Sequence, residues 1–265
     1  LATCVGAIFA AGVLLLGSNA TADQPIDQPI ADGDVLELRA GDYLWTGSTH
    51  HLDGALTESL GIQFWVRPTE FPEAPFQHRV IVAKPGSYLV SLQHLAEFGR
   101  DLNGRIPVPR SYIVLGVYRW TEDGIEADIT WQPRVAAGEW THFNLLLRAT
   151  RGGFSSQVAI NGEKYSNGFS SPHPDRLFNR SSSRLYVGDV PPEAMYGPGD
   201  EAFPYDLLVS SPIALAELEI SAGATGPIKD FDLPATPDGT TKGLWRFDEG
   251  TRVMRYTDAS GKGHE

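Results

Sequence analysis

The sequence predicts an all-β fold of antiparallel strands, a sandwich, barrel or jelly roll, on three observations. From Val35 onward, short runs rich in Val, Ile, Leu, Tyr, Phe and Trp are separated by clusters of Gly, Pro, Asn, Asp and Ser. No stretch sustains a 3.6-residue apolar period with helix caps. Two runs, Ile125 to Trp131 and Ile213 to Ser221, alternate apolar with polar residues as a strand with one wet face does.

The strands are expected, in order, at Val35 to Leu38, Gly61 to Arg67, Arg79 to Ala83, Tyr88 to Leu92, Tyr112 to Tyr118, Ile125 to Trp131, Thr141 to Arg148, Ser156 to Ile160, Leu185 to Val187, Ile213 to Ser221 and Gly243 to Phe247. Pro68 lacks a donor N–H and stops the second of these. In the sixth, Ile125, Ala127, Ile129 and Trp131 alternate with Glu126, Asp128 and Thr130. In the tenth, Ala214, Ala216, Leu218 and Ile220 are expected on one face, with Leu215, Glu217 and Glu219 on the other. Asn161-Gly162 separates two strand-like runs and reads as a type I′ turn, since both central residues need positive φ and Asn and Gly adopt it most readily. Two connections exceed the usual length: Ala96 to Arg110, and Asp189 to Pro204 with its four prolines. Both read as binding loops or decoration.

The first 32 residues follow a different logic. Val5 to Leu16 is an unbroken apolar run of twelve, the length of a signal-peptide h-region and too short for a bilayer core, which needs about 20. Ala20-Thr21-Ala22 then supplies an A-x-A cleavage pattern, so residues 1–22 are expected to be a signal peptide, with an uncleaved anchor as the alternative. The polar, proline-bearing stretch 23–32 is a linker, 33–228 the folded domain, and 229–265 either a returning strand or the start of a second module. The expected location is secreted, periplasmic or cell-surface, with no stable membrane span after cleavage. Cys4, the only cysteine, lies inside the leader, so no disulfide is expected. A net charge of −12 and pI near 5.0 give a surface that repels phosphate backbones and argue against nucleic acid as a partner.

Three segments in order carry a family resemblance. Leu60-Gly61-Ile62-Gln63-Phe64-Trp65-Val66-Arg67-Pro68 is one; Gly138-Glu139-Trp140-Thr141-His142-Phe143 followed by Gln157 to Glu163 is the second; Arg184 to Gly188 followed by Ala216 to Ile220 is the third. Together they resemble the laminin-G-like, concanavalin A-like lectin and glucanase superfamily. That resemblance implies a two-sheet antiparallel jelly-roll sandwich over about Gly33 to Ser221. Leu244 to Gly250 and Asp258-Ala259-Ser260-Gly261-Lys262-Gly263 are similar to the element that usually opens such a module. The resemblance also implies a structural Ca²⁺ near that second loop, with Asp258 and the Gly261 carbonyl as oxygen ligands. The alternative for Asp258 is an Asx-type turn that bonds the following backbone, and Ala216 stands where the closing strand usually carries Asp.

The chemistry the residues allow is limited. Glucanases of this resemblance use a Glu-x-Asp-x-x-Glu set; Glu126 and Asp128 match its first two members, but Thr130 and Trp131 leave the third unfilled. His50-His51 and His142 lack companions at metal-ligand spacing, and no G-x-S-x-G, Walker loop or dinucleotide fingerprint is present. Asn179-Arg180-Ser181 is a formal glycosylation sequon. Carbohydrate binding would use aromatic platforms, for which Trp45, Tyr118, Trp120 and Trp131 are the candidates, each with core packing as its alternative. The expected function is a non-catalytic exported module that binds a glycan or protein partner or acts as a spacer. Its alternatives are a glucanase using Glu126 and Asp128, or the front of a larger enzyme whose catalytic domain lies elsewhere.

Overall fold

A computed structural model describes residues 35–46, 52, 59–70, 77–100, 107–121, 124–131, 135–150, 153–169, 181–195, 208–210, 212–223, 237–247, 256 and 258–262. The expected leader and linker, His50-His51 and Asn179-Arg180 fall outside these. Thirteen strands are formed among the described residues. They are β1 (Leu36–Leu38), β2 (Tyr43–Trp45), β3 (Ser59–Pro68), β4 (His78–Lys84), β5 (Tyr88–Arg100), β6 (Pro107–Thr121), β7 (Gly124–Trp131), β8 (Thr141–Thr150), β9 (Gly153–Ile160), β10 (Glu163–Phe169), β11 (Tyr186–Gly188), β12 (Ile213–Ala222) and β13 (Thr241–Trp245).

They form two sheets in which every named strand pair is antiparallel, a jelly-roll sandwich. One sheet runs β1-β12-β3-β8-β9-β10, with β13 also on β12; the other runs β2-β11-β4-β5-β6-β7. The apolar interior lies between them. Phe64 and Phe143, directly opposed on β3 and β8, meet there with ring centroids 5.4 Å apart, and Val82, Val90 and Val187 face them from the second sheet. Asn161 (φ 50°) and Gly162 (φ 82°) both take the left-handed region between β9 and β10, as the Asn-Gly pair predicts.

Two departures from the sequence expectation, and one placement it did not address, have physical causes. In β12, Ala216 pairs with Trp65 and Leu218 with Phe64, so Glu217 is an inserted residue in a β-bulge, with φ 49°. That insertion shifts the alternation by one. Ile213 and Leu215 join Leu218 and Ile220 in the core, whereas Ala214 and Ala216 do not, which corrects the expected face assignment. The bulge falls where the neighbour of β12 changes: β1 pairs with 213–215 and β13 with 218–221 on the same side.

The expected loop Ala96 to Arg110 is instead largely paired, since β5 and β6 continue their ladder out to Arg100 and Pro107. Prolines are tolerated there because β7 accompanies β6 only from Leu115 onward, so among the described residues Pro107 and Pro109 lie where β6 pairs with β5 alone and a missing N–H breaks no second ladder. Lastly, β4 is buried along its whole length although it carries Arg79 and Lys84. The Arg79 guanidinium is paired with Asp189, and Lys84 Nζ donates to the carbonyls of Ser181 and Ser183 at 3.0 and 2.6 Å. Burial pulls the Arg79 pKa down, while Asp189 and Asp42 hold it up.

Candidate functional site

The outer face of the six-stranded sheet carries a transverse row in which one residue of each strand stands beside the next: Trp45, Tyr186, Ala83, Leu89, Tyr118 and Ala127. Two of the four aromatic candidates therefore share a row, four strand spacings or roughly 19 Å apart. Their surroundings differ. Tyr118 is buried, its hydroxyl donates to Gln93 Oε1 at 2.9 Å, its ring meets His78 edge-on, and burial pushes its pKa up. Trp45 is 47% exposed on the edge strand β2. For Trp120 and Trp131 the backbone register is what is described: Trp120 stands opposite Ile125, and Trp131 opposite Leu115.

The middle of the row is roofed by the chain that follows β11. A 3-10 turn at Pro192–Ala194 brings Val190 and Met195 onto Val80, Ala83, Leu89, Tyr118 and Tyr186, and both are buried. Each such side chain contributes on the order of 1.5–3 kcal/mol when withdrawn from water. This accounts for the first part of the long Asp189 to Pro204 connection as a cover for the sheet.

Outside that roof, at the β2 edge, lies an aromatic shelf. Tyr43 and Trp45 are two residues apart on β2 and so share its outer side; they are the exposed large hydrophobics among the described residues, at 40% and 47%. Tyr43 meets the Tyr186 ring edge-on at 5.8 Å, and the Arg184 guanidinium carbon lies 3.7 Å from the centre of the Trp45 ring. Burial raises the Tyr186 pKa; Arg184 acts against this and Tyr43 and Glu193 add to it. Close packing behind β2 fixes the shelf. Gly188 (φ 88°) pairs with Tyr43, and a Cβ there would lie 2.5 Å from Leu38 Cδ1 and 2.9 Å from the Asp42 carbonyl.

Sequence reasoning missed Tyr43, Arg184 and Tyr186. Tyr43-Leu44-Trp45 is too short to register as a strand, though its aromatic spacing of two was the available signal. Nothing in the sequence brings Arg184 to Trp45, because that contact depends on the pairing of β11 with β2.

The other candidates are placed as follows. Glu126 stands opposite Arg119, while Val117 pairs with Ile129 and Tyr118 with Ala127, so Asp128 is the extra residue of a bulge with no opposite partner. The regular two-residue repeat assumed for a Glu126 and Asp128 acid pair is thus interrupted between them and Ile129. Asp258 is buried, accepts the N–H groups of Leu244 (3.0 Å) and Ser260 (2.9 Å) on Oδ1, and accepts the Ser260 hydroxyl (2.7 Å) on Oδ2. Donors face both oxygens, so Asp258 forms an Asx-type turn docked on β13, the alternative to the Ca²⁺ reading of Asp258 and Gly261. No group of three or more His, Cys, Asp or Glu that could hold a metal occurs among the described residues.

The chain matches no family model, and no curated protein matches it. Solved structures do. The binding domain of botulinum neurotoxin serotype D/C VPI 5993 is 14% identical over 70% of this chain and 39% of that one, with a TM-score of 0.41. A native heptameric SAP-like pentraxin from Limulus polyphemus is 13% identical over 72% and 77%, with a TM-score of 0.41. A family 7 alginate lyase, A1-II′, is 13% identical over 67% and 66%, with a TM-score of 0.33. The chain thus spans less than half the length of the toxin chain it matches. The fold rests on the strand pairing described above, and the site on its own geometry.

Proposed function

We propose that the chain is an exported, laminin-G-like jelly-roll module that binds glycans without catalysis, and that the Tyr43–Trp45 shelf is its contact surface. One observation carries the reading. The two aromatics stand open on an edge strand whose backbone is held by Gly188, while the other described aromatics of that face, Tyr118 and Tyr186, are buried. Sugar rings present an apolar C–H face that stacks on indole and phenol, and rigid aromatics offer that contact at low entropic cost. Export is supported by the apolar run Val5 to Leu16 and the Ala20-Thr21-Ala22 pattern. No described helix is long and apolar enough to cross a membrane.

Isothermal titration against a panel of plant, algal and animal oligosaccharides tests this. Binding to at least one of them, weakened tenfold or more in Trp45→Ala, is the expected result. Absence of heat across the panel, or binding unaltered in Trp45→Ala, would overturn it. Reducing-sugar release from a β-glucan, abolished in Glu126→Gln, would replace it with the glucanase reading.

A further inference from the structure

Resting on that reading of the shelf, we propose that Arg184 makes the site selective for glycans bearing a carboxylate, with acidic sugar residues as the ligand class. Among the described residues, two arginines lie over indoles, and the contrast between them is informative. The Arg67 guanidinium carbon is 4.9 Å from the Trp140 ring centre and has Glu37 Oε1 3.7 Å away, so its charge is partnered. Arg184 sits closer to its indole, at 3.7 Å, and is exposed. The ion pairs among the described residues are Arg67 with Glu37 and Arg79 with Asp189, and Arg184 takes part in neither.

A guanidinium laid on an indole uses its π face and keeps its in-plane N–H edge, the edge that receives a carboxylate in bidentate fashion. The stack also orders the long side chain before any ligand arrives, so less entropy is lost on binding. Tyr43, two residues away on the same side of β2, lies about 7 Å along the strand from Trp45, a span that one sugar ring bridges. The ring's apolar face then meets Tyr43 and the part of Trp45 that Arg184 leaves uncovered, and its carboxylate meets Arg184. On a chain of net charge −12 such a ligand is repelled by the surface at large, so its recognition requires a local cation, and Arg184 is placed to supply it. The charge of Glu193, which also acts on the Tyr186 phenol, opposes this preference.

The test uses the whole chain and two probes, tri-galacturonate and its fully methyl-esterified form, which keeps the shape and removes the charge. The acid is expected to bind at least tenfold tighter than the ester at low salt, the gap narrowing as salt rises. Arg184→Gln removes the discrimination between acid and ester, Arg184→Lys restores part of it, and Glu193→Gln widens it. Because Arg184 is exposed, unchanged melting of the variants checks that the fold is intact. Equal binding of acid and ester, or discrimination that survives in Arg184→Gln, overturns the inference and leaves glycan binding standing. So does failure of both probes when a neutral glycan binds in a Trp45-dependent way. Failure of every glycan removes this inference and the proposed function together.

Discussion

His142 and Asn161 hold each other across the end of the β8–β9 ladder. The His142 N–H donates to Asn161 Oδ1 at 2.8 Å, and the Asn161 N–H donates to the His142 carbonyl at 3.0 Å. Asn161 is also the first residue of the turn into β10, at φ 50°. One side chain therefore sets the turn and ties it to the neighbouring strand.

Asn161→Ala loses both functions: a left-handed backbone costs a Cβ residue about 1 kcal/mol, and the lost acceptor costs about another. Asn161→Gly keeps the backbone freedom and loses only the bond. Urea denaturation should show a loss of roughly 2 kcal/mol for the first and about half that for the second. Equal losses would mean that the turn conformation is not set by residue 161.

Two histidines buried among the described residues predict acid sensitivity. Burial lowers the pKa of His78 to about 4 and of His142 to about 3, from 6.5. The unfolded chain takes up these protons as pH falls through 6.5 and the folded chain does not, so stability is complete above that value and is lost progressively below it. Between about pH 7.5 and about pH 5.5 each histidine should cost roughly 1.4 kcal/mol. His142→Gln should flatten the dependence of the urea midpoint on pH. An unchanged slope would show that His142 is accessible to protons in the folded state.

The bulge at Glu217 predicts an asymmetry between deletion and substitution. Removing the residue would keep Ala216 opposite Trp65 and Leu218 opposite Phe64, with Ile213 and Leu215 still facing the core, so the deletion variant should fold. Glu217→Gly accepts φ 49° without strain and should melt above Glu217→Val, whose branched side chain resists that conformation by about 1–2 kcal/mol. Thermal melts read by circular dichroism decide it, and a deletion variant that fails to fold would refute the bulge.

Asp258 predicts a metal-independent contribution. Asp258→Ala leaves the Leu244 N–H, at the buried start of the turn contact, without its acceptor, at a cost of about 1–3 kcal/mol. Asp258→Asn retains Oδ1 and should lose less. Chelator or added millimolar Ca²⁺ should leave the melting of the wild type unchanged. A calcium-dependent rise in melting that disappears in Asp258→Ala would instead restore the metal reading.

Much of the architecture was legible because local chemistry determines it. Asn161-Gly162 announces its own turn, and the apolar runs around Trp65 and Phe143 announce central strands of a sandwich. What escaped depends on residues far apart in sequence. A run such as Ile213 to Ser221 reads as regular alternation, and only its pairing with β3 reveals that Glu217 is inserted. Pro107 and Pro109 suggest a loop until the pairing shows that, among the described residues, β6 there has β5 alone as a neighbour, which a missing N–H tolerates. Trp45 was readable as a candidate by type alone, whereas Arg184 and Tyr186 join it only through the β2–β11 register.

The placement and role of the shelf are tested most directly by hydroxyl-radical footprinting, with oxidation at each aromatic residue followed by mass spectrometry. Tyr43 and Trp45 should oxidise rapidly in the free protein while Trp65 and Trp245, 2% and 4% exposed, react slowly, and a saturating glycan should protect Trp45 and Tyr43 alone among these. Slow oxidation of Trp45 in the free protein, or a Trp45 rate unaffected by bound glycan, would contradict the account.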